Sequence, residues 1–230
     1  MKIINPKYEI LENISEGGLN ELKLLETVAR VCYKSEDYIT EDGESAKRLL
    51  KRLIESGHEA MLEHRIITVK FTCDRGISHE IVRHRIASFA QESTRYCNYS
   101  KDKFGNEITV IKPFFYSPSE PSNLEDLEKQ SEVHFGVINE LFDTWVESCK
   151  FAENSYFNLL DLGSTPQEAR SVLPTSLKTE LVMTANYREW RHFLKLRTSP
   201  AAHPQIRELA IPLLHELQSK LPIIFDDIEV

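Results

Sequence analysis

The stretch Arg83-His84-Arg85-Ile86-Ala87-Ser88-Phe89-Ala90-Gln91-Glu92-Ser93-Thr94-Arg95-Tyr96 carries more information than any other part of the chain. It sets three arginines, one histidine and two serines within fourteen residues of an acidic protein. Arginine is always protonated and presents a planar fork of donors matched to phosphate oxygens. Fixed cations beside small hydroxyls therefore suit a polyanionic ligand. Asp74 is expected to cap a short helix running as far as Ile86. On such a helix Arg83 and Arg85 lie about 200° apart, so one chain offers them to different ligands or to different subunits. Residues 88–100 read as loop, where the Ser93 hydroxyl, backbone N–H groups and the Arg95 guanidinium could cradle one phosphate. A bare Arg-His-Arg triplet reads more readily as a solvated, salt-bridged helix end. The fourteen residues taken together reverse that preference.

Residues 1–10 read as an opening strand. Leu22, Leu25, Val28 and Val31 recur at helical spacing over residues 19–33. Ala46, Leu49, Leu50, Leu53 and Ile54 do the same over 44–56, with Gly57 as the stop. Ile67, Val69 and Phe71 alternate with polar positions over 65–73, as in a half-buried strand. Residues 108–111 form a short strand candidate. The run Ser117-Pro118-Ser119-Glu120-Pro121-Ser122 reads as a surface turn leading into a long helical stretch over 124–160. Thr165-Pro166-Gln167-Glu168 combines an N-cap, a proline at the first helical position and a capping-box glutamate. Residues 177–184 alternate again, and 188–196 and 205–221 read as helices. No repeat, low-complexity tract or long linker divides the chain. Residues 1–230 are expected to form one α+β domain in which helices dominate.

Composition bounds the function. The chain has 230 residues, 41% hydrophobic and 28% charged, enough for a full core. A net charge of -8 argues against a nucleic-acid binder or an anionic-membrane binder, so any anion site must be built locally. No apolar run approaches a membrane span, and the first residues do not resemble a signal peptide. Cys32, Cys73, Cys97 and Cys149 are widely spaced, which fits a reducing cytoplasm better than zinc or disulfides.

Metal is not expected. His79 and His84 are five apart, about 140° round a helix, whereas a zinc-protease helix needs them four apart. None of the cysteines sits in a nucleophile motif. There is no Gly-x-Gly-x-x-Gly and no phosphate-loop motif, so a flavin here would not use a dinucleotide-binding βαβ unit. A second cationic set lies downstream. Arg170 precedes Leu173-Pro174. Asn186 ends the alternating strand, and Arg188, His192 and Arg197 follow on the next helix, with Arg188 and His192 on one face.

These segments, in this order, resemble the flavin-dependent thymidylate synthases over nearly the whole chain. The markers are Ala29-Arg30-Val31, Gly57-His58-Glu59 with Glu63-His64, residues 83–96 with the Arg-His-Arg-x7-Ser signature, Arg170 with Val172-Leu173-Pro174, and residues 186–197. The resemblance implies that family's fold, helix-rich with a central, mainly antiparallel sheet. It implies a homotetramer with active sites shared between subunits. It also implies FAD as cofactor, with dUMP, 5,10-methylenetetrahydrofolate and NADPH giving dTMP, tetrahydrofolate and NADP.

Carried over by position, the resemblance assigns His58, Arg83, His84, Arg85, Gln91, Asn186, Arg188 and His192 to FAD. It assigns Glu80, Arg83, Gln91, Glu92, Ser93, Thr94, Arg95, Arg170 and Arg197 to dUMP. Arg197 matches the arginine that polarises the uracil. A fixed guanidinium against N3 and O2 would stabilise negative charge spread over the ring and so make C5 nucleophilic. No cysteine stands in the context of the cysteine-dependent thymidylate synthases, so activation without a thiolate adduct is expected. Ser93 has no base beside it in the sequence and is assigned to binding. Three positions depart from the family pattern. Glu80 stands where glutamine is expected, Ala60 where a hydroxyl residue is common, and Cys32 where serine is common. Two other readings remain at this point: a nucleotide-binding protein without turnover, and a helical scaffold with an arginine-rich interface.

Overall fold

The computed structural model describes residues 1–116 and 131–230. Its helices are α1 (Leu19–Val31), α2 (Glu44–Glu55), α3 (Arg75–Ile81), α4 (Ser131–Asp161), α5 (Pro166–Ala169), α6 (Tyr187–Arg197) and α7 (Pro204–Lys220). Its strands are β1 (Lys2–Ile4), β2 (Lys7–Ile10), β3 (Ile66–Asp74), β4 (Ala87–Gln91), β5 (Thr109–Ile111) and β6 (Lys178–Asn186). The fold is α+β, helix-rich, with an antiparallel sheet. The chain forms two compact units. One holds Met1–Pro6, Thr72–Ser78 and Gln91–Glu180; the other holds Lys7–Phe71, His79–Ala90 and Leu181–Val230.

In the first unit β1 pairs with β5 in parallel, with Ile3 opposite Val110. The amino terminus is fixed by Glu107 and Glu153, each 3.1 Å from the ammonium. The core gathers Tyr99, Ile108, Val110, Cys149, Tyr156, Ala169 and Leu177. Thr165 and Glu168 form the expected capping box, but α5 lasts one turn. Arg170 therefore lies in a following 3-10 turn, Arg170–Val172, where Pro174 prevents a longer helix. The expected turn over 117–122 and the first residues of the long helix lie outside the described residues.

Most residues of the four-stranded sheet, in order β2-β3-β6-β4, belong to the second unit. Alternation sets its buried face: Ile67, Val69 and Phe71 on β3, and Leu181, Met183 and Ala185 on β6. Helix α6 buries Tyr187, Trp190, Phe193 and Leu194 at helical spacing. The Phe71 ring lies 6.3 Å from Trp190 and 6.1 Å from Phe193, and the Trp190 indole donates to the Ile67 carbonyl at 2.9 Å. Each such buried side chain contributes about 1.5–3 kcal/mol of transfer free energy. This packing fixes which face of α6 is left for chemistry.

Three sequence expectations change. The opening strand is two strands, broken at Asn5-Pro6, because proline lacks an N–H and restricts the residue before it. Asp74 does cap α3, its carboxylate accepting from the Ile77 N–H at 2.8 Å, but the helix ends at Ile81. Arg83 and Arg85 are therefore not helical, and the 200° separation does not apply. Finally, residues 87–91 are strand β4 rather than loop. Ala87, Phe89 and Gln91 are half-buried and alternate with exposed Ser88 and Ala90, a weak period-2 pattern. Among the described residues no helix is long and apolar enough to cross a membrane.

Candidate active site

A connected polar cluster of the second unit centres on His84. The Arg197 Nε–H donates to His84 Nε2 at 3.2 Å. Arg197 Nη1 donates to the Glu80 carboxylate at 2.7 Å, and Nη2 donates to the Glu80 carbonyl at 3.0 Å. On its other side His84 Nδ1 meets Glu189 Oε1 at 3.0 Å, and His192 Nδ1 reaches the same oxygen at 3.3 Å. A guanidinium only donates, so His84 Nε2 must accept. The neutral ring then carries its proton on Nδ1 and gives it to Glu189. Burial lowers the pKa of His84; the Glu189 hydrogen bond opposes this and the Arg197 charge adds to it. The ring is thereby held neutral.

His84, Glu189 and His192 have ligand atoms within 4.8 Å of one another, the spacing of a cation site. The donor directions do not suit one. Coordination through Nδ1 would move the His84 proton to Nε2, placing an N–H against the Arg197 N–H. The trio is better suited to a hydrogen-bonded relay.

A cavity of about 420 Å³ lies beside this relay, lined by Glu59, Glu63, Ile86, Asn186, Arg188, Glu189, Arg191, His192 and Lys195. Helix α6 supplies most of its wall. Arg188 donates to Glu63 at 2.6 Å, and Asn186 caps α6 by accepting from the Glu189 N–H at 2.8 Å. Buried Arg191 bonds Glu59 at 3.0 Å and also holds Asp227 and the Ile224 carbonyl. His58 is exposed and lines a different cavity, of about 530 Å³, with Arg30, Tyr33, Tyr38 and Arg52. Arg83 and Arg85 are exposed and line neither cavity.

In the first unit the Ser93 carbonyl accepts from the N–H groups of Tyr96 and Cys97, closing a turn. The Ser93 hydroxyl accepts from the Arg95 N–H at 3.3 Å, and the exposed Arg95 guanidinium lies 5.5 Å from the Tyr96 ring. Arg170 Nη1 donates to the buried Thr94 hydroxyl at 3.1 Å. Glu92 has both carboxylate oxygens engaged, one by Tyr99 at 3.3 Å and one by Lys178 at 2.9 Å. The Gln91 amide donates to Ser78 and Thr179. Glu92 and Gln91 thus anchor the turn that presents Ser93, Thr94 and Arg95. Burial, together with the Glu92 charge, raises the Cys97 thiol, and burial pushes Cys73 up to about 12. Neither is poised as a thiolate.

Sequence reasoning missed Glu189, Lys178 and Thr179. Glu189 stands three residues after Asn186, which reads as an ordinary helix cap. Its equal spacing from His192 was the available signal.

The chain matches the family model described as "Thymidylate synthase complementing protein" over residues 18–223. The flavin-dependent thymidylate synthase of Corynebacterium aurimucosum is 34% identical over 218 residues, covering 94% of this chain and 84% of that protein. The same enzyme from Mycobacterium tuberculosis is 31% identical, covering 90% of this chain and 79% of that protein. A crystal structure of a UMP/dUMP methylase, PolB, from Streptomyces cacaoi bound with 5-Br dUMP superposes with a TM-score of 0.75. It covers 98% of this chain and 96% of that one at 20% identity, a likeness of fold. The chain belongs to the flavin-dependent thymidylate synthase family and is an enzyme of that methyltransferase class.

Proposed function

We propose that the chain catalyses reductive methylation of dUMP to dTMP. Its carbon donor is 5,10-methylenetetrahydrofolate, its reductant NADPH and its bound cofactor FAD. The observation that carries this reading is the hold on Arg197. Three of the five N–H donors of its guanidinium are engaged by His84 and Glu80, which leaves two for a ligand. Directed at the edge of a uracil, those two would stabilise the negative charge that makes C5 electron-rich. Such preorganised donors typically contribute about 100- to 1,000-fold in rate.

Asn186, Arg188 and His192 offer amide, guanidinium and imidazole groups to one cavity, a donor set that fits a flavin's ring edge or phosphates. They would hold FAD, which supplies hydride transfer when bound. At about 420 Å³ the cavity is at the small end for ligand sites and has room for part of a dinucleotide. That supports a homotetramer in which a second chain completes the site, with Arg83, Arg85 and His58 of each chain serving other parts of it. Ser93, Thr94, Arg95 and Arg170 are read as the holders of the dUMP phosphate, with Gln91 and Glu92 as their anchors. Glu80 acts through Arg197. Each compact unit is assembled from three separate segments, which supports reading residues 1–230 as one functional domain. The cytoplasm is the proposed compartment.

The test is direct. Purified protein should be yellow and should release tritium from 5-tritiated dUMP only when the folate and NADPH are supplied. A colourless protein that cannot be reconstituted with FAD would sink the reading. A chain that stays monomeric at assay concentration while turning over would refute the shared site.

A further inference from the structure

We propose that Glu189 is a positioning residue for Arg197, acting through the tautomer of His84. The inference rests on the reading of Arg197 as the group that polarises the pyrimidine. Glu189 is buried, and its Oε1 meets Nδ1 of both His84 and His192. Arg197 is held along two edges of its guanidinium, by Glu80 at the Nη edge and by His84 at Nε. The second hold exists only while His84 Nε2 is unprotonated. A neutral imidazole free in water prefers its proton on Nε2, so something must favour Nδ1–H. The Glu189 carboxylate, 3.0 Å from Nδ1, supplies that preference together with the Arg197 N–H at Nε2. With Glu189 removed, the Arg197 N–H alone opposes the intrinsic preference for Nε2, and the proton that returns there meets that N–H donor to donor. The guanidinium then loses one of its two fixed edges.

The charged and titratable groups facing the His84 ring are Glu189, His192 and Arg197, all on α6. Glu80 on α3 stands one residue removed, across Arg197. Phe193 closes the ring's flank at 4.9 Å. Burial keeps the ring neutral in this setting, and the Glu189 charge is what favours its protonation.

The experiment compares wild type, Glu189→Met, Glu189→Gln and Arg197→Lys in the full chain loaded with FAD. Histidine is labelled with nitrogen-15 so that the tautomer is read independently of turnover. Wild type should show His84 protonated at Nδ1. Glu189→Met should move that proton to Nε2 and lower kcat by as much as about 100-fold, with little change in KM for dUMP. Glu189→Gln keeps an oxygen acceptor, so it should restore the tautomer and most of the turnover. It loses the negative charge, so the acid limb of the kcat profile should move to lower pH. A residue that only packs would not move that limb.

The proposal is overturned if the proton stays on Nδ1 in Glu189→Met. It is equally overturned if the proton moves, kcat holds, and Arg197→Lys is nevertheless slow. Should Glu189→Met not fold, Glu189→Gln decides: an acid limb that stays in place overturns the proposal. Failure of the underlying reading has a different signature, full turnover by Arg197→Lys with the Glu189→Met tautomer shift still present.

Discussion

Arg170 and Thr94 stand 76 residues apart in sequence and meet through one hydrogen bond, 3.1 Å from Nη1 to the threonine hydroxyl. The threonine is buried and the arginine is exposed, so the hydroxyl fixes one corner of a guanidinium that solvent still reaches. Thr94→Val keeps the shape and removes the acceptor. One net hydrogen bond to a charged group is worth about 1.5–3 kcal/mol, part of which Arg170 regains from water. KM for dUMP should therefore rise roughly 5- to 10-fold, with kcat nearly unchanged, because the lost interaction binds substrate and transition state alike. Steady-state kinetics decide; a fall in kcat with unchanged KM would place Arg170 in the chemistry instead.

Arg197→Lys should lower kcat by about 100- to 1,000-fold while FAD remains bound. Lysine keeps the charge but cannot donate to His84, the Glu80 carboxylate and the Glu80 carbonyl while still presenting two N–H groups. The measurement is turnover beside the flavin absorbance of the purified variant. Full activity would remove the uracil-polarising role.

How much of this was legible in the chain depends on what each residue needed. The buried faces of β3 and β6 were readable, because Ile67, Val69, Phe71 and Leu181, Met183, Ala185 alternate strongly. Strand β4 was not, since Ala87, Phe89 and Gln91 form a weakly apolar face and Ser88 looks like a loop residue. Helical spacing does not set the directions of Arg83 and Arg85 either, because the helix stops at Ile81. Asn186, Arg188 and His192 share one cavity because a single helix and its cap present them. His58 reaches another cavity, a placement that tertiary packing decides and spacing does not. Glu189 went unread because its capping position hid its side-chain contact with a residue 105 positions away.

His84 gives a pH prediction with a definite sign. Burial lowers its folded pKa below the ordinary 6.5. Between those two values the unfolded chain binds more protons than the folded one. This contribution to stability is complete above about pH 6.5 and is lost as pH falls from there through the folded pKa. His84→Gln should flatten that part of the profile. Urea midpoints for both proteins between about pH 7.5 and about pH 5 test it. Parallel curves would mean that the buried ring is not the source.

Arg191 is the most buried cation of the cavity wall, and its partners differ in exposure. Its side chain is 2% exposed, against 22% for Glu59 and 45% for Asp227. Losing one member of a buried pair costs about 3–5 kcal/mol when the other stays buried and uncompensated. In Arg191→Leu the two carboxylates left behind can reach water, so the loss should be near the lower figure, about 3 kcal/mol. Asp227→Ala leaves Arg191 bonded to Glu59 and to the Ile224 carbonyl. Because Asp227 is half exposed, its pair is screened, and the loss should be about 1 kcal/mol or less. Burial raises the Asp227 carboxyl, but the Arg191 guanidinium outweighs it and the net shift is downward. The small stabilisation from that pair is therefore present at neutral pH and is lost only as pH falls below the ordinary value of 3.8. Urea denaturation of the two variants at neutral pH should separate them clearly, with the arginine variant the weaker. Equal losses would show that Asp227, rather than the combined hold on Glu59 and the Ile224 carbonyl, accounts for the stability Arg191 provides.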